Sequence, residues 1–237
     1  MKSAFEQLSF SSLLPEHKEL NEFIWGENAL LKFHLEHILE NADDKFVYIW
    51  GQAGSGKSHL LQTICHQYDA KLSSIYLPLS LTESIPPSSL DNLEEQDIVS
   101  LDDIHLIKNH PEWEEAIFHL YNRIRDKKNT LLIISGQLPP TQLNLKLPDL
   151  ISRLQWGMTW HLKEPSDEMK MQIIMQNAVK KGFYIPEAVA QYLLSHYARH
   201  LTTQMQILDI LDQSSLKAQR RTISIPFIKE CLKNFTP

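Results

Sequence analysis

Five short runs of apolar, mostly β-branched or aromatic residues punctuate the first two thirds of the chain: Phe46–Trp50, Ser74–Leu77, Asp97–Leu101, Thr130–Ser135 and Met158–Leu162. The runs are apolar without alternation, as expected of strands covered on both faces. The segments between them have helical spacing. In Trp113–Arg125, Ala116, Ile117, Leu120, Tyr121 and Ile124 fall on one stripe, and Ser58–Tyr68 follows the same period. Strands that alternate with helices predict an α/β domain built on a five-stranded parallel sheet flanked by helices.

Beyond Pro165 the strand signals fade, and four helical segments follow: Ser166–Lys181, Pro186–Arg199, Thr202–Arg220 and Pro226–Asn234. Ser166 is an N-cap with acids behind it, Gly182 a stop, and Pro186 and Pro226 suit helix starts. This predicts a small all-α domain over residues 166–237, after an α/β domain over 23–165. Residues 1–22 carry no strong period and read as an arm, and 78–96, with three prolines, as a loop.

The most specific chemistry stands between the first strand and the first helix. Residues 51–58 read GQAGSGKS, a match to GxxxxGK(S/T) in the strand-loop-helix context that gives the pattern meaning. Glycines let backbone N–H groups turn to phosphate oxygens without a Cβ in the way, and the helix start adds partial positive charge. Gly51, Gly54, Ser55, Gly56, Lys57, Ser58 and the adjoining His59 are therefore the predicted nucleotide-binding residues. Lys57 supplies a point charge to the terminal phosphates, and Ser58 a hydroxyl to Mg²⁺.

A hydroxyl holds Mg²⁺ only with carboxylate help. Asp102 and Asp103 end the third strand, where the C-terminal edge of a parallel sheet sets them beside the loop. Asp102 is the metal-side acid of this reading, and Asp103 orients a water. Gln137, just after the fourth strand, suits a contact to the γ-phosphate or a plain turn equally well. Arg153 lies beyond the P-loop strands, where a guanidinium can face a neighbouring subunit's nucleotide; on chemistry alone a surface ion pair is the simpler reading.

Charge narrows the choice. With 23 Lys plus Arg against 29 Asp plus Glu the net charge is -6, the wrong sign for an autonomous DNA binder. The densest basic stretch, Lys217–Arg221, reads as a solvated helix face. Two distant cysteines, Cys65 and Cys231, suit a reducing, cytoplasmic home, and no membrane span or leader is predicted. In the arm, Gln7-Leu-Ser-Phe10 is a polar, apolar, small, aromatic tetrad. Leu8 and Phe10 could equally enter a partner's groove or cover this chain's own core.

Taken together, WGQAGSGKSHLL (50–61), LDDIH (101–105), AIFHLYNRI (116–124) and LNLKLPDLISRL (143–154) resemble the DnaA family, in particular its short regulatory members. The likeness spans nearly the whole chain. It implies an AAA+ nucleotide-binding domain followed by a helical lid, ADP or ATP as ligand with Mg²⁺, and little or no hydrolysis of its own. It also implies DnaA as partner, and that Gln7, Leu8 and Phe10 anchor the chain on the DNA polymerase III sliding clamp (its beta subunit). Arg153 is similar to the family's arginine finger, which acts in trans on ATP held by DnaA. In the lid, Thr202 stands where the family has a sensor arginine, with Arg199 the nearest basic side chain. The expected function is that of a negative regulator of replication initiation; the competing expectation is an autonomous AAA+ ATPase that remodels or loads a replication component. Whether the chain forms a homodimer is left open.

Overall fold

The computed structural model describes residue 20, residues 23–41, 45–68 and 71–233, and residue 235. Gln7, Leu8 and Phe10 lie outside the described residues. The chain divides into two compact units: one runs to Gln52 and from Gly56 to Lys163, and the other takes in Ala53–Ser55 and the chain from Glu164 on.

Five strands form the first unit's sheet: β1 (Phe46–Trp50), β2 (Ser74–Pro78), β3 (Ile98–Asp102), β4 (Leu131–Gly136) and β5 (Met158–His161). They are all parallel, in the order β2-β3-β4-β1-β5. The expected fold is thus observed, and the register explains the sequence pattern. Successive side chains of a strand point to opposite faces. On one face Phe46, Tyr48, Val99, Leu101, Leu132 and Ile134 pack with Trp113, Ile117 and Leu120 of α3 (Pro111–Lys127) and Leu150 and Leu154 of α4 (Pro148–Trp156). On the other, Val47, Ile49, Ile98, Leu131 and Ile133 meet Leu31, Leu35 and Ile38 of α1 (Ala29–Asn41) and Leu60, Leu61 and Ile64 of α2 (Lys57–Tyr68). Both faces being apolar, the strands cannot alternate.

Strand β5 departs from that rule. It is an edge strand paired only with β1, and Met158, Thr159 and His161 are exposed. Helices α1 and α4 were not marked by the sequence pattern. In α4 a proline starts nine residues that bury only Leu150 and Leu154, too short a stripe to stand out. The 78–96 loop is tightened by 3₁₀ turns at Leu79–Leu81, Pro87–Leu90 and Leu93–Glu95.

The second unit carries α5 (Asp167–Lys180), α6 (Glu187–His196), α7 (Leu201–Lys217) and α8 (Ile225–Cys231) around Ile174, Leu193, Ile207, Leu208, Leu211 and Ile228. Ser166 caps α5 by accepting from the Met169 amide at 3.3 Å, and Gly182 follows with φ 87°. A single parallel bridge, Tyr184 to Thr222, ties the connections together. Helix α7 ends at Lys217, and the basic stretch beyond it is exposed. No helix among the described residues is long and apolar enough to cross a membrane.

Candidate functional site

Strand order decides what meets at the sheet's C-terminal edge. β4 lies between β3 and β1, so the end of β3 and the loop after β1 flank the end of β4. The Gly51 amide donates to the Gly136 carbonyl at 3.2 Å, which pins the start of the loop to β4. Gly54 (φ 82°) and Gly56 (φ 97°) adopt left-handed conformations that side chains resist, and the loop enters α2 at Lys57.

Lys57 is 5% exposed and turns back across its own loop, donating to the carbonyls of Gly51 (2.7 Å) and Gln52 (2.9 Å). Burial lowers its pKa, while the charges of Asp103 and Asp102 pull it back up. Ser58 is half-buried in the first turn of α2, and His59 stacks on Phe23 at 5.6 Å. Ser55 Oγ is buried with no hydrogen-bond partner.

Asp102 is 2% exposed and both its carboxylate oxygens are engaged: Oδ2 accepts from the Tyr76 hydroxyl at 2.7 Å, Oδ1 from the Ser135 hydroxyl. Ser135 Oγ in turn accepts from the Asp103 amide at 2.8 Å. Burial, reinforced by the Asp102 charge, pushes the Tyr76 phenol far up, so it stays a donor. Asp103 sits at φ 61°, ψ 51°, a left-handed backbone that a non-glycine residue adopts at a cost of about 1–2 kcal/mol. Burial and Asp102 raise its carboxyl pKa, against the pull of His105 and Lys57; His105 Nδ1 is 3.7 Å from Asp103 Oδ1.

The structure therefore brings Lys57, Asp102 and Asp103 together. Gln137 follows directly on β4 and is exposed. Arg153 has different neighbours: its guanidinium lies 4.4 Å from the Trp156 ring centroid and 6.0 Å from that of Tyr121. Among the described residues it makes no ion pair, so the surface pair that chemistry alone favoured is not what holds it. In the lid, Arg199 pairs with Asp167 at 3.3 Å, and Thr202 is exposed in the first turn of α7.

Sequence reasoning missed Tyr76, Ser135 and Trp156. A hydroxyl near the C-terminal end of an otherwise apolar strand was a usable signal for the first two. The residues present fit a magnesium nucleotide: a glycine loop with left-handed turns, a buried ammonium, an unpartnered Ser55 hydroxyl and a fixed carboxylate are the donors such a ligand takes.

Comparison with known proteins supports the same architecture. Domain III of the Thermotoga maritima replication initiation protein DnaA is 21% identical, with 88% of this chain covering 92% of that one at a TM-score of 0.69. A DnaA bound to AMPPCP and single-stranded DNA is 20% identical, with 87% of this chain covering 69% of that one at 0.65. The Thermotoga maritima RuvB Holliday junction branch migration motor is 17% identical, with 93% covering 72% at 0.69. At such identities the likeness shows the fold. Residues 14–161 match the bacterial DnaA ATPase domain family, and residues 167–232 the Hda lid domain. The chain thus belongs to the DnaA ATPase-domain family of AAA+ proteins, as a member that carries an Hda lid, and this membership implies regulatory inactivation of DnaA.

Proposed function

We propose that this chain is a negative regulator of replication initiation that binds ADP or ATP with Mg²⁺, docks on the sliding clamp, and stimulates hydrolysis of DnaA-bound ATP with Arg153 as a finger in trans. The division of labour follows the chain: an arm over residues 1–22 carries the clamp contacts Gln7, Leu8 and Phe10, residues 23–165 hold nucleotide, and residues 166–237 form the lid. The nucleotide set is Gly51, Gly54, Ser55, Gly56, Lys57, Ser58, His59, Asp102 and Gln137. Ser58 and Asp102 hold the metal, and Asp103 faces the water side. The bound Mg²⁺ would draw charge off the phosphate oxygens; Lys57 and the loop amides bind and orient those oxygens.

The observation that carries this reading is the state of Arg153. A guanidinium that makes no ion pair among the described residues, resting on aromatic rings at the end of α4, keeps its donors for an anion that arrives from outside. Fingers of this kind raise hydrolysis about 10³- to 10⁵-fold in GTPases by stabilising charge on the transferred phosphoryl group. The test is a DnaA ATPase assay with DNA-loaded clamp. Arg153→Ala should leave nucleotide and clamp binding intact and remove the stimulation; full stimulation by that variant would refute the role.

The meeting of Lys57, Asp102 and Asp103 favours a second reading, an ATPase that acts alone. It requires turnover by the purified protein, lost in Lys57→Ala and Asp103→Ala, with neither DnaA nor clamp present.

A further inference from the structure

Trp156 is the least expected side chain on α4. The helix buries Leu150 and Leu154 against the sheet, yet its last residue, Trp156, is 60% exposed. Two guanidiniums lie over that ring: Arg153 at 4.4 Å and Arg125, from the last turn of α3, at 5.7 Å. Both are within cation-π range, and Arg153 stands three residues before Trp156, so the two share a helix face. Arginines nearby find acids where acids exist, as Arg123 does with Glu94 at 2.9 Å, but Arg153 makes no such pair among the described residues.

A second ring near Arg153 is anchored in the core. Tyr121, 3% exposed, meets Phe46 edge-on at 5.1 Å. Gly157 approaches Phe46 so closely that a Cβ there would lie 2.2 Å from the ring and 2.5 Å from the Phe46 carbonyl oxygen, a contact that backbone cannot relieve. The chain therefore leaves α4 at one fixed place, and Trp156 directly precedes it. Of the two guanidiniums over the Trp156 ring, Arg125 has the Asp126 carboxylate at 4.0 Å, whereas Arg153 has no ion-pair partner among the described residues; held by the ring, it is ordered during folding and keeps its N–H fork free.

We infer that Trp156 is a positioning residue: its indole holds the Arg153 guanidinium ready for the phosphoryl oxygens of a nucleotide bound by a partner. This rests on Arg153 being the finger in trans, and it adds the residue that aims it.

The experiment measures single-turnover hydrolysis of DnaA-bound ATP, with clamp-loaded DNA, against concentration of the full chain. Trp156→Ala should lower the maximal rate about three- to tenfold, the size of an exposed to partly desolvated cation-π contact, with the half-saturating concentration unchanged. Trp156→Phe should recover most of the rate, since a ring remains. Placed in an Arg153→Ala background, Trp156→Ala should change the residual rate no further, because it acts only through Arg153. Equal ADP binding by each variant checks the fold. A Trp156→Ala protein with the full maximal rate would overturn the inference, as would the same loss in the Arg153→Ala background or a change in half-saturation alone. If Arg153→Ala itself keeps full stimulation, the finger reading has failed; if that variant is inactive and Trp156→Ala is not, only the positioning role has.

Discussion

Asp102 accepts from two hydroxyls at once, one from the strand on each side of it. A buried carboxylate is tolerated when its oxygens are satisfied, and removal of one donor leaves the charge under-solvated. Tyr76→Phe keeps the ring's packing and deletes the hydroxyl's contacts, the one to Asp102 Oδ2 and a second with the Gln62 side chain, so it should cost about 1.5–3 kcal/mol, read as a lower urea midpoint with unchanged slope. An unchanged midpoint would mean that Tyr76 does not restrain Asp102. At this scale the chemistry-bearing residues were legible because they sit in short local patterns: the P-loop in eight consecutive positions and the acid pair in two. Their restraints were not. Tyr76, Asp102 and Ser135 are separated by 26 and 33 positions, and no local rule links a strand tyrosine to an acid on the next strand. Trp156 escaped notice for a related reason, since an aromatic at helical spacing reads as core until its exposure is known.

At the scale of elements, edge position matters most. Helix α1 and strand β5 meet through His34 and Trp160, whose rings lie 5.7 Å apart, and His34 Nε2 is buried without a partner. Burial lowers the His34 pKa from its usual 6.5, so the folded state disfavours the imidazolium. The unfolded chain takes up the proton first as pH falls. Stability is therefore complete above pH 6.5 and declines as pH drops below it toward the folded pKa. Chemical denaturation across that range should show the decline in the natural protein and a shallower one in His34→Phe; parallel curves would exclude His34 as a source. Strands β1, β3 and β4 could be read from sequence because both faces are covered and most positions are apolar. α4 could not, since two buried leucines in nine residues do not make a period.

For the whole molecule, the net charge of -6 sets it against the phosphate backbone of DNA, and the proposed phosphate contact is local, at the P-loop. A ligand that binds only the folded state stabilises it by mass action, about 2.7 kcal/mol at a hundredfold excess over Kd. Magnesium ADP or ATP at such an excess should raise the melting temperature of the natural protein and leave Lys57→Ala where it was; a shift of equal size in both would remove Lys57 from the nucleotide site. The sequence by itself determined the α/β class, the parallel sheet with a helical unit after it, and the glycine-rich loop between β1 and α2, because each is written in neighbouring residues under backbone and periodicity rules. Only the tertiary structure decided the strand order, the two hydroxyls that clamp Asp102, and the aromatic seat of Arg153. Those depend on which distant segments lie side by side, and contacts of that range are made by packing, which no stretch of sequence carries alone.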